Sequence, residues 1–185
     1  MEKTAVLTNT KWAIDPMHSE IQFKVKHLTI SNITGSFKTF SGMVNTKSED
    51  FENAEIQVSL DVNSMSTNQE MRDNHLKGAE FFDAEKYPQI NFKSTSFKKS
   101  KGEDFILIGD LTMKGITKQV EVKAEFGGTT KDSQGNLKAG FEVTGKINRK
   151  DFGLKSNALT ETGGLVLSEE IKLTANIQIV KEKNT

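Results

Sequence analysis

The segment IKLTANIQI, residues 171–179, decides the fold class of this chain. Its apolar residues occupy the odd-numbered positions and alternate with Lys172, Thr174, Asn176 and Gln178. Successive side chains of a β-strand point to opposite faces, so a period of two predicts a strand with one apolar face and one polar face. The same alternation recurs at residues 21–27, 54–62, 120–126 and 141–147.

Three further segments predict strands with less regular alternation, at residues 35–45, 88–97 and 104–113. A short strand at residues 11–14 is expected to lead into the first. Turn-forming residues separate the strands around Gly102 (residues 98–103) and around Gly135 (residues 127–136). Long open edges favour aggregation and closure removes them, so the pattern predicts an all-β fold, an eight-stranded antiparallel up-and-down β-barrel. Residues 1–185 are expected to form one such domain.

One short helix is expected to interrupt the strands. Thr67 followed by Glu70 has the spacing of a capping box, which marks the start of a helix. Gly78 is a typical residue for a helix end. We therefore predict a helix near residues 68–77.

The residues on and after this helix are expected to lie at one end of the barrel. Arg72 and His75 are three positions apart, so they share one face of the helix. The segment AEFFDAEKYP, residues 79–88, is unusually aromatic for a connection. We expect its Phe81 and Phe82 to pack over the open barrel end and to gate it.

Composition argues against several classes of function. Lys plus Arg and Asp plus Glu both number 25, so the net charge is zero and no basic surface for nucleic acid is expected. Cys is absent and the three His are scattered, so neither a disulfide nor a metal site is expected. No nucleophile motif and no assembled acid–base pair can be identified, so we expect neither catalytic residues nor a cofactor.

The N-terminal segment MEKTAVLTNTKW lacks the basic and apolar regions of a secretory signal. The expected compartment is therefore the cytoplasm as the sequence stands, or the periplasm if a signal has been removed. No stretch approaches the roughly 18 apolar residues that a membrane-spanning helix needs.

The residues alone leave open whether the barrel lumen is filled or empty. Eight strands enclose a space that suits either the barrel's own side chains or one slim ligand. Small residues on the inward face would leave room for a ligand: Ala54, Ala124, Gly145 and Ala175. A filled lumen would instead indicate a structural or interaction protein that acts through a dimer surface. An isomerase or hydrolase would need a polar pair deep in the barrel, where His27 is the one candidate.

The apolar residues expected to line the lumen come from several strands. They are Phe23, Val25, Phe37, Phe40, Ile56, Val58, Phe92, Leu111 and Phe141. Strand phase supports Phe23, Val25, Ile56, Val58 and Phe141 best.

Four basic residues are candidates for contact with a ligand head group: His27, Arg72, His75 and Arg149. A phosphate, carbonyl or amide head needs one or two hydrogen-bond donors, and the guanidinium fork of Arg suits phosphate. Three of them also have a structural alternative, which is a core hydrogen bond for His27 and an ion pair for the two arginines. The candidate partners are Asp73, Asp83 and Asp151. We expect at least one of the four to meet the head group.

Five blocks of sequence resemble the YceI-like family, in the order in which that family carries them. They are WAIDPMHSEIQFKVKH (residues 12–27), GSFKTFSG (35–42), RDNHLKGAEFFDAEKYPQINFKS (72–94), GDLTMKGITKQV (109–120) and RKDFGL (149–154). Together they span nearly the whole chain, and their conjunction is specific.

The resemblance implies a lipocalin-like eight-stranded barrel that binds polyisoprenoids or similar lipids in its lumen. It also implies that dimers occur and that some members are exported to the periplasm. The expected partner is therefore a long-chain isoprenoid, a quinone tail or a fatty-acid-like amphiphile, held for storage, transport or sequestration. The resemblance, more than the alternation, favours a ligand over a filled core.

Overall fold

The structure, a computed structural model, describes residues 9–156 and 166–184. These residues form eleven β-strands, one α-helix and three 3₁₀ helices. The strands are β1 (Thr10–Ile14), β2 (Glu20–His27), β3 (Ser31–Phe37), β4 (Phe40–Thr46), β5 (Glu55–Asp61), β6 (Met65–Ser66), β7 (Gln89–Lys99), β8 (Asp104–Met113), β9 (Ile116–Lys131), β10 (Leu137–Asn148) and β11 (Leu167–Lys181). The helix α1 is Glu70–Lys77, and the 3₁₀ helices are Pro16–His18, Val62–Ser64 and Arg149–Phe152.

Eight strands close into a ring of antiparallel pairs in the order β1, β4, β5, β7, β8, β9, β10 and β11. The ring closes because β1 pairs with β4 on one side and with β11 on the other. The long strand β11 also pairs with β2, in register from Ile171 opposite Val25 to Asn176 opposite Glu20. Strands β1 and β2 therefore lie one after the other along β11. The eight-stranded antiparallel barrel predicted from the alternation is confirmed.

The break between β1 and β2 has a local cause. Pro16 lacks an N–H for a strand ladder and begins the 3₁₀ helix Pro16–His18. The Asp15 carboxylate accepts a hydrogen bond from the backbone N–H of Met17 at 3.1 Å and contacts His18 Nδ1 at 2.8 Å. This turn lets the chain re-enter the sheet beside β11.

Two details of the predicted strands are wrong. The expected strand at residues 35–45 is divided into β3 and β4. Phe37 and Phe40 are both buried although they are three positions apart, so the period of two is lost between them. The expected turn at residues 127–136 is shorter, because β9 continues to Lys131 past a bulge at Gly128, whose φ is +113°.

The expected helix cap at Thr67 is also wrong. The helix α1 begins at Glu70, and the side chain of Gln69 accepts the hydrogen bond from the N–H of Arg72. Thr67 is buried and binds Asp73 instead, through its backbone N–H at 2.8 Å and its hydroxyl at 2.5 Å.

One end of the barrel is closed by aromatic side chains. Phe51, in the loop between β4 and β5, is 2% exposed and turns into the barrel. Its ring centroid lies 5.1 Å from that of Trp12, 5.6 Å from that of Phe126 and 5.3 Å from that of Phe141. We call these four residues the aromatic plug.

The opposite end, which we call the mouth, is built differently. There the sheet continues from β11 through β2 and β3 to β6, while β7 pairs with β5 only as far as Gln89 opposite Asp61. In the described parts of the chain no ladder joins β6 to β7. The helix α1 and the segment after it cover this gap, and Phe81 and Phe82 are buried there.

Within residues 9–156 and 166–184, no helix is long and apolar enough to cross a membrane.

At two glycines on the inward face, a side chain of the neighbouring strand occupies the position that a Cβ atom would take. Gly35 lies opposite Phe23, and a Cβ atom on Gly35 would come within 2.2 Å of the Phe23 ring. A Cβ on Gly145 would come within 2.4 Å of Val122. Gly145 therefore does not leave the empty space expected from the sequence, because Val122 fills it. These glycines instead let large side chains lie flat against the barrel wall.

The close approach of Phe23 to Gly35 predicts a destabilising Gly35→Ala substitution. The added methyl group would displace the Phe23 ring, so we expect a loss of about 1 to 3 kcal/mol in the free energy of unfolding. Gly140→Ala is the matched control, because nothing lies within 4 Å of a Cβ at that strand position. Urea denaturation of the two variants measures the difference, and equal stabilities would contradict the packing described.

The aromatic plug predicts that Phe51→Ala is strongly destabilising. Truncation of a buried Phe costs about 3 to 5 kcal/mol through lost burial and a residual cavity. Met17→Ala serves as the control because Met17 is 88% exposed, and its effect should stay within about 0.5 kcal/mol. A Phe51→Ala protein as stable as the Met17→Ala protein in thermal denaturation would show that the loop does not close this end.

Candidate ligand-binding cavity

An apolar cavity of about 700 Å³ lies inside the barrel between the aromatic plug and the mouth. Its volume is in the range typical of small-molecule and cofactor sites. Ten apolar residues predicted from the sequence to line the lumen or gate it do line this cavity. They are Phe23, Val25, Phe37, Ile56, Val58, Phe81, Phe82, Phe92, Leu111 and Phe141.

Phe40 is the exception among the predicted lining residues. It is buried, but it is not among the residues that line the cavity. Phe40 begins β4, directly after the break at Lys38 and Thr39, and lies opposite Leu60 of β5. Leu60 lines the cavity instead. Strand phase did not support Phe40, because alternation continued from Phe37 would place it on the opposite face.

Two of the small residues expected to leave room face the cavity. Ala124 and Ala175 line it, on β9 and β11. Ala54 is 4% exposed and packs in the apolar cluster around the aromatic plug. The open volume therefore lies beside Ala124 and Ala175, whereas the space at Ala54 and Gly145 is occupied.

The cavity is elongated along the barrel. Its lining residues on β11 extend from Leu167 near the mouth to Ile179 near the plug. At the rise per residue of a β-strand this length is about 40 Å along the strand, or about 30 Å along the axis of a barrel with tilted strands. A space of this shape suits a chain better than a compact molecule.

Some lining residues were missed in the sequence, for two different reasons. Ile171, Leu173 and Ile177 continue the alternation of β11, so strand phase alone could have found them. Leu154 and Val166 lie at the two ends of the connection between β10 and β11, where no periodic pattern indicates which side chain turns inward.

Arg149 is a buried cation at the mouth and is 2% exposed. Its guanidinium donates hydrogen bonds to four backbone carbonyl oxygens, those of Leu154, Ser156, Leu167 and Ser168. Burial lowers the pKa of this guanidinium from its ordinary value, and the nearby Glu169 carboxylate opposes that effect.

The sequence left open an ion pair between Arg149 and an aspartate, and the bonds observed are different. In the part of the chain that the structure describes, Arg149 makes no ion pair with Asp151. The guanidinium instead holds both ends of the connection between β10 and β11 against the barrel. It lines the cavity as well, so it contributes positive charge there.

Arg72, on α1, is oriented by a chain of hydrogen bonds to the segment just before the helix. Its Nε donates to Thr67 Oγ1 at 2.8 Å, and its Nη2 donates to the Thr67 carbonyl oxygen at 2.9 Å. The hydroxyl of Thr67 in turn donates to Asp73 Oδ1. Arg72 therefore pairs with Thr67, and among the described residues neither Asp73 nor Asp83 forms an ion pair with it.

The two predicted histidines also lie at the mouth. His75 Nε2 is 3.4 Å from Glu80 Oε2, and the His75 ring meets Phe81 edge to face at a centroid distance of 5.4 Å. His27 ends β2 opposite Leu167 of β11. Both histidines line the cavity. His27 is thus at the mouth and not deep in the barrel, where a catalytic pair would have needed it.

Polar side chains are few along the cavity wall, and most of them are at the mouth. The mouth carries His27, Arg72, His75, Glu80, Arg149 and Ser156. Gln22 and Thr174 also border the cavity, but they pair with each other at positions in phase with the outer face of their strands. Across residues 9–156 and 166–184, no group of three or more His, Cys, Asp or Glu side chains is arranged to hold a metal ion. The cavity is therefore a long apolar tube with its charges at one end.

Known proteins are similar to this chain in sequence and in fold. The YceI-like domain matches residues 12–179. A UPF0312 protein of Photorhabdus laumondii, plu2095, is 37% identical over 180 residues, which cover 97% of this chain and 90% of the relative.

Solved structures agree with these matches. The YCEI protein of Campylobacter jejuni is 34% identical with a TM-score of 0.73, covering 86% of this chain and 90% of that one. A polyisoprenoid binding domain from Saccharophagus degradans, implicated in plant cell wall breakdown, shares the fold at 16% identity, with a TM-score of 0.67 and coverage of 92% and 98%. The chain described here belongs to the YceI-like domain family.

Proposed function

We propose that this protein binds one long-chain apolar ligand inside its barrel, for storage, transport or sequestration. The ligand class is a polyisoprenoid, a quinone tail or a fatty-acid-like amphiphile. The observation that carries the proposal is the open apolar cavity of about 700 Å³. A lumen filled by its own side chains, the alternative left open by the sequence, does not fit this space.

The energetics of burial support a chain-like ligand. Each methylene transferred from water to an apolar site contributes about 0.8 kcal/mol, so about fifteen carbons contribute roughly 12 kcal/mol. Association and ordering offset several kcal/mol of this gain. The remainder corresponds to a dissociation constant that is micromolar or lower.

The placement of the polar residues supports binding rather than catalysis. Among the described residues, the ionisable side chains that line the cavity are all at the mouth, and the wall beyond them is mostly apolar. The Saccharophagus domain, which is described as binding polyisoprenoids, has the same fold and supports the same class of ligand. The homodimer and the compartment expected from the sequence and the resemblance stay predictions.

Native mass spectrometry of the protein, purified without detergent, tests the proposal directly. We expect an additional mass of a few hundred daltons or more that is lost on denaturation and recovered in an organic extract. The purified protein should also take up a fluorescent polyene hydrocarbon. Absence of any bound lipid together with no uptake of the polyene would overturn the proposal.

A substitution that fills the cavity should weaken binding without unfolding the barrel. Ala175 lines the cavity between Val143 and Ile21 on the neighbouring strands, so Ala175→Phe would place a ring in the path of the ligand. We expect the affinity for the polyene to fall at least about tenfold, since several buried methylenes would be excluded.

The matched control is Asn176→Phe, the same change at the next residue of β11, whose side chain is exposed on the outer face. This variant should bind the polyene like the unmodified protein. Fluorescence titration measures both, and circular dichroism checks that both barrels are folded. Equal affinities for the two variants would place the binding site outside the lumen.

A further inference from the structure

We infer that the mouth of the cavity binds an anionic head group, a phosphate or a carboxylate, through the guanidinium of Arg72. The inference rests on the proposed function, because the head group belongs to the ligand whose chain fills the barrel. It goes further by assigning the chemistry of the head and the residue that recognises it.

The charges that line the mouth are unbalanced toward positive. Two arginines, Arg72 and Arg149, supply this positive charge, and the histidines His27 and His75 lie beside them on the cavity lining. Glu80 is the carboxylate among the described lining residues, and it lies 3.4 Å from His75. The whole chain has zero net charge, so this excess is a local feature of the mouth. Asp73, which binds the hydroxyl of Thr67, and Glu169, near Arg149, offset part of this excess without lining the cavity. An anion in the mouth would pair with the positive charge that remains, whereas a neutral head would not.

Arg72 has donors to spare, whereas Arg149 has almost none. A guanidinium carries five N–H donors in a rigid fork. Within the described chain, Arg149 donates four hydrogen bonds to backbone carbonyl oxygens. Arg72 makes two bonds, both to Thr67. The donors of Arg72 that remain can bind a ligand oxygen, and Arg149 adds only its charge.

The orientation of Arg72 is set before any ligand arrives. Asp73 is buried and accepts two hydrogen bonds from Thr67, which fixes the hydroxyl of Thr67 as an acceptor for Arg72 Nε. Because the Nε side of the fork faces Thr67, the Nη1 amino group, which has no partner among the described residues, is available to the cavity. A preorganised donor loses little conformational entropy on binding.

Competition among three amphiphiles with the same chain tests this inference. Diphenylhexatriene, a neutral fluorescent hydrocarbon, reports occupancy of the barrel, and dodecyl phosphate, dodecanoate and dodecanol compete for it. Charge-assisted hydrogen bonds are stronger than neutral ones, so we expect at least one anion to displace the probe at about tenfold lower concentration than dodecanol. The order of the two anions then distinguishes a phosphate head from a carboxylate head. Dodecanol as effective as both anions would overturn the inference.

The Arg72→Gln variant assigns the preference to this residue. We expect it to lose about tenfold in affinity for the preferred anion while binding dodecanol and diphenylhexatriene unchanged. Lys77→Gln is the matched control, because it removes a positive charge from the same helix at a residue that does not line the cavity. Anion affinities that fall equally in the two variants would overturn the role of Arg72.

Two results keep failure of this inference separate from failure of the proposed function. If neither diphenylhexatriene nor dodecanol binds the unmodified protein, the proposed function itself fails. If both bind but the anions have no advantage, only the head-group inference fails. If Arg72→Gln does not fold, the salt dependence of binding to the unmodified protein tests the inference. Added salt should weaken the binding of the anions and not that of dodecanol, and equal salt dependence would contradict the inference.

Discussion

Closure of the strand ring is the constraint on which the rest of this structure depends. Strand β1 is only five residues long, yet it pairs with β4 and β11 at once and so joins the two edges of the sheet. A closed ring of eight strands has a fixed circumference, and therefore a lumen of fixed width. That width admits side chains or one slim ligand, and what the inward residues leave unfilled becomes the cavity.

The two ends of the barrel are closed in different ways. At the plug, Phe51 and its aromatic neighbours replace water with packed rings, so that end needs no further cover. At the mouth, the ring is widened by β2, β3 and β6, and α1 with Phe81 and Phe82 covers the gap. The cavity therefore has an apolar floor and a polar entrance, a polarity that matches an amphiphile with a long chain.

Alternation in the sequence was sufficient to predict the strands and the barrel, because inward and outward faces meet different environments along every strand. It predicted most of the cavity wall for the same reason. It gave no support for Phe40, which follows the break between β3 and β4, and the room expected at Gly145 is filled by Val122. No local pattern could reveal such effects, since each depends on the neighbouring strand.

The polar residues were harder to predict than the apolar ones. The sequence placed Arg72 and His75 on one helix face but suggested carboxylate partners for the arginines. Arg149 instead binds carbonyl oxygens of a connection without periodicity, and Arg72 binds Thr67, five residues earlier. These partners are set by the path of the chain at the mouth, which spacing alone does not encode.

The most direct test of a barrel built around one long apolar ligand is an experimental electron-density map of the protein purified without added lipid. We expect continuous, tube-shaped density beside Ala124 and Ala175, running from the aromatic plug to the mouth and ending near Arg72. A lumen that contains only ordered water, or one closed by inward side chains, would contradict a barrel of this kind.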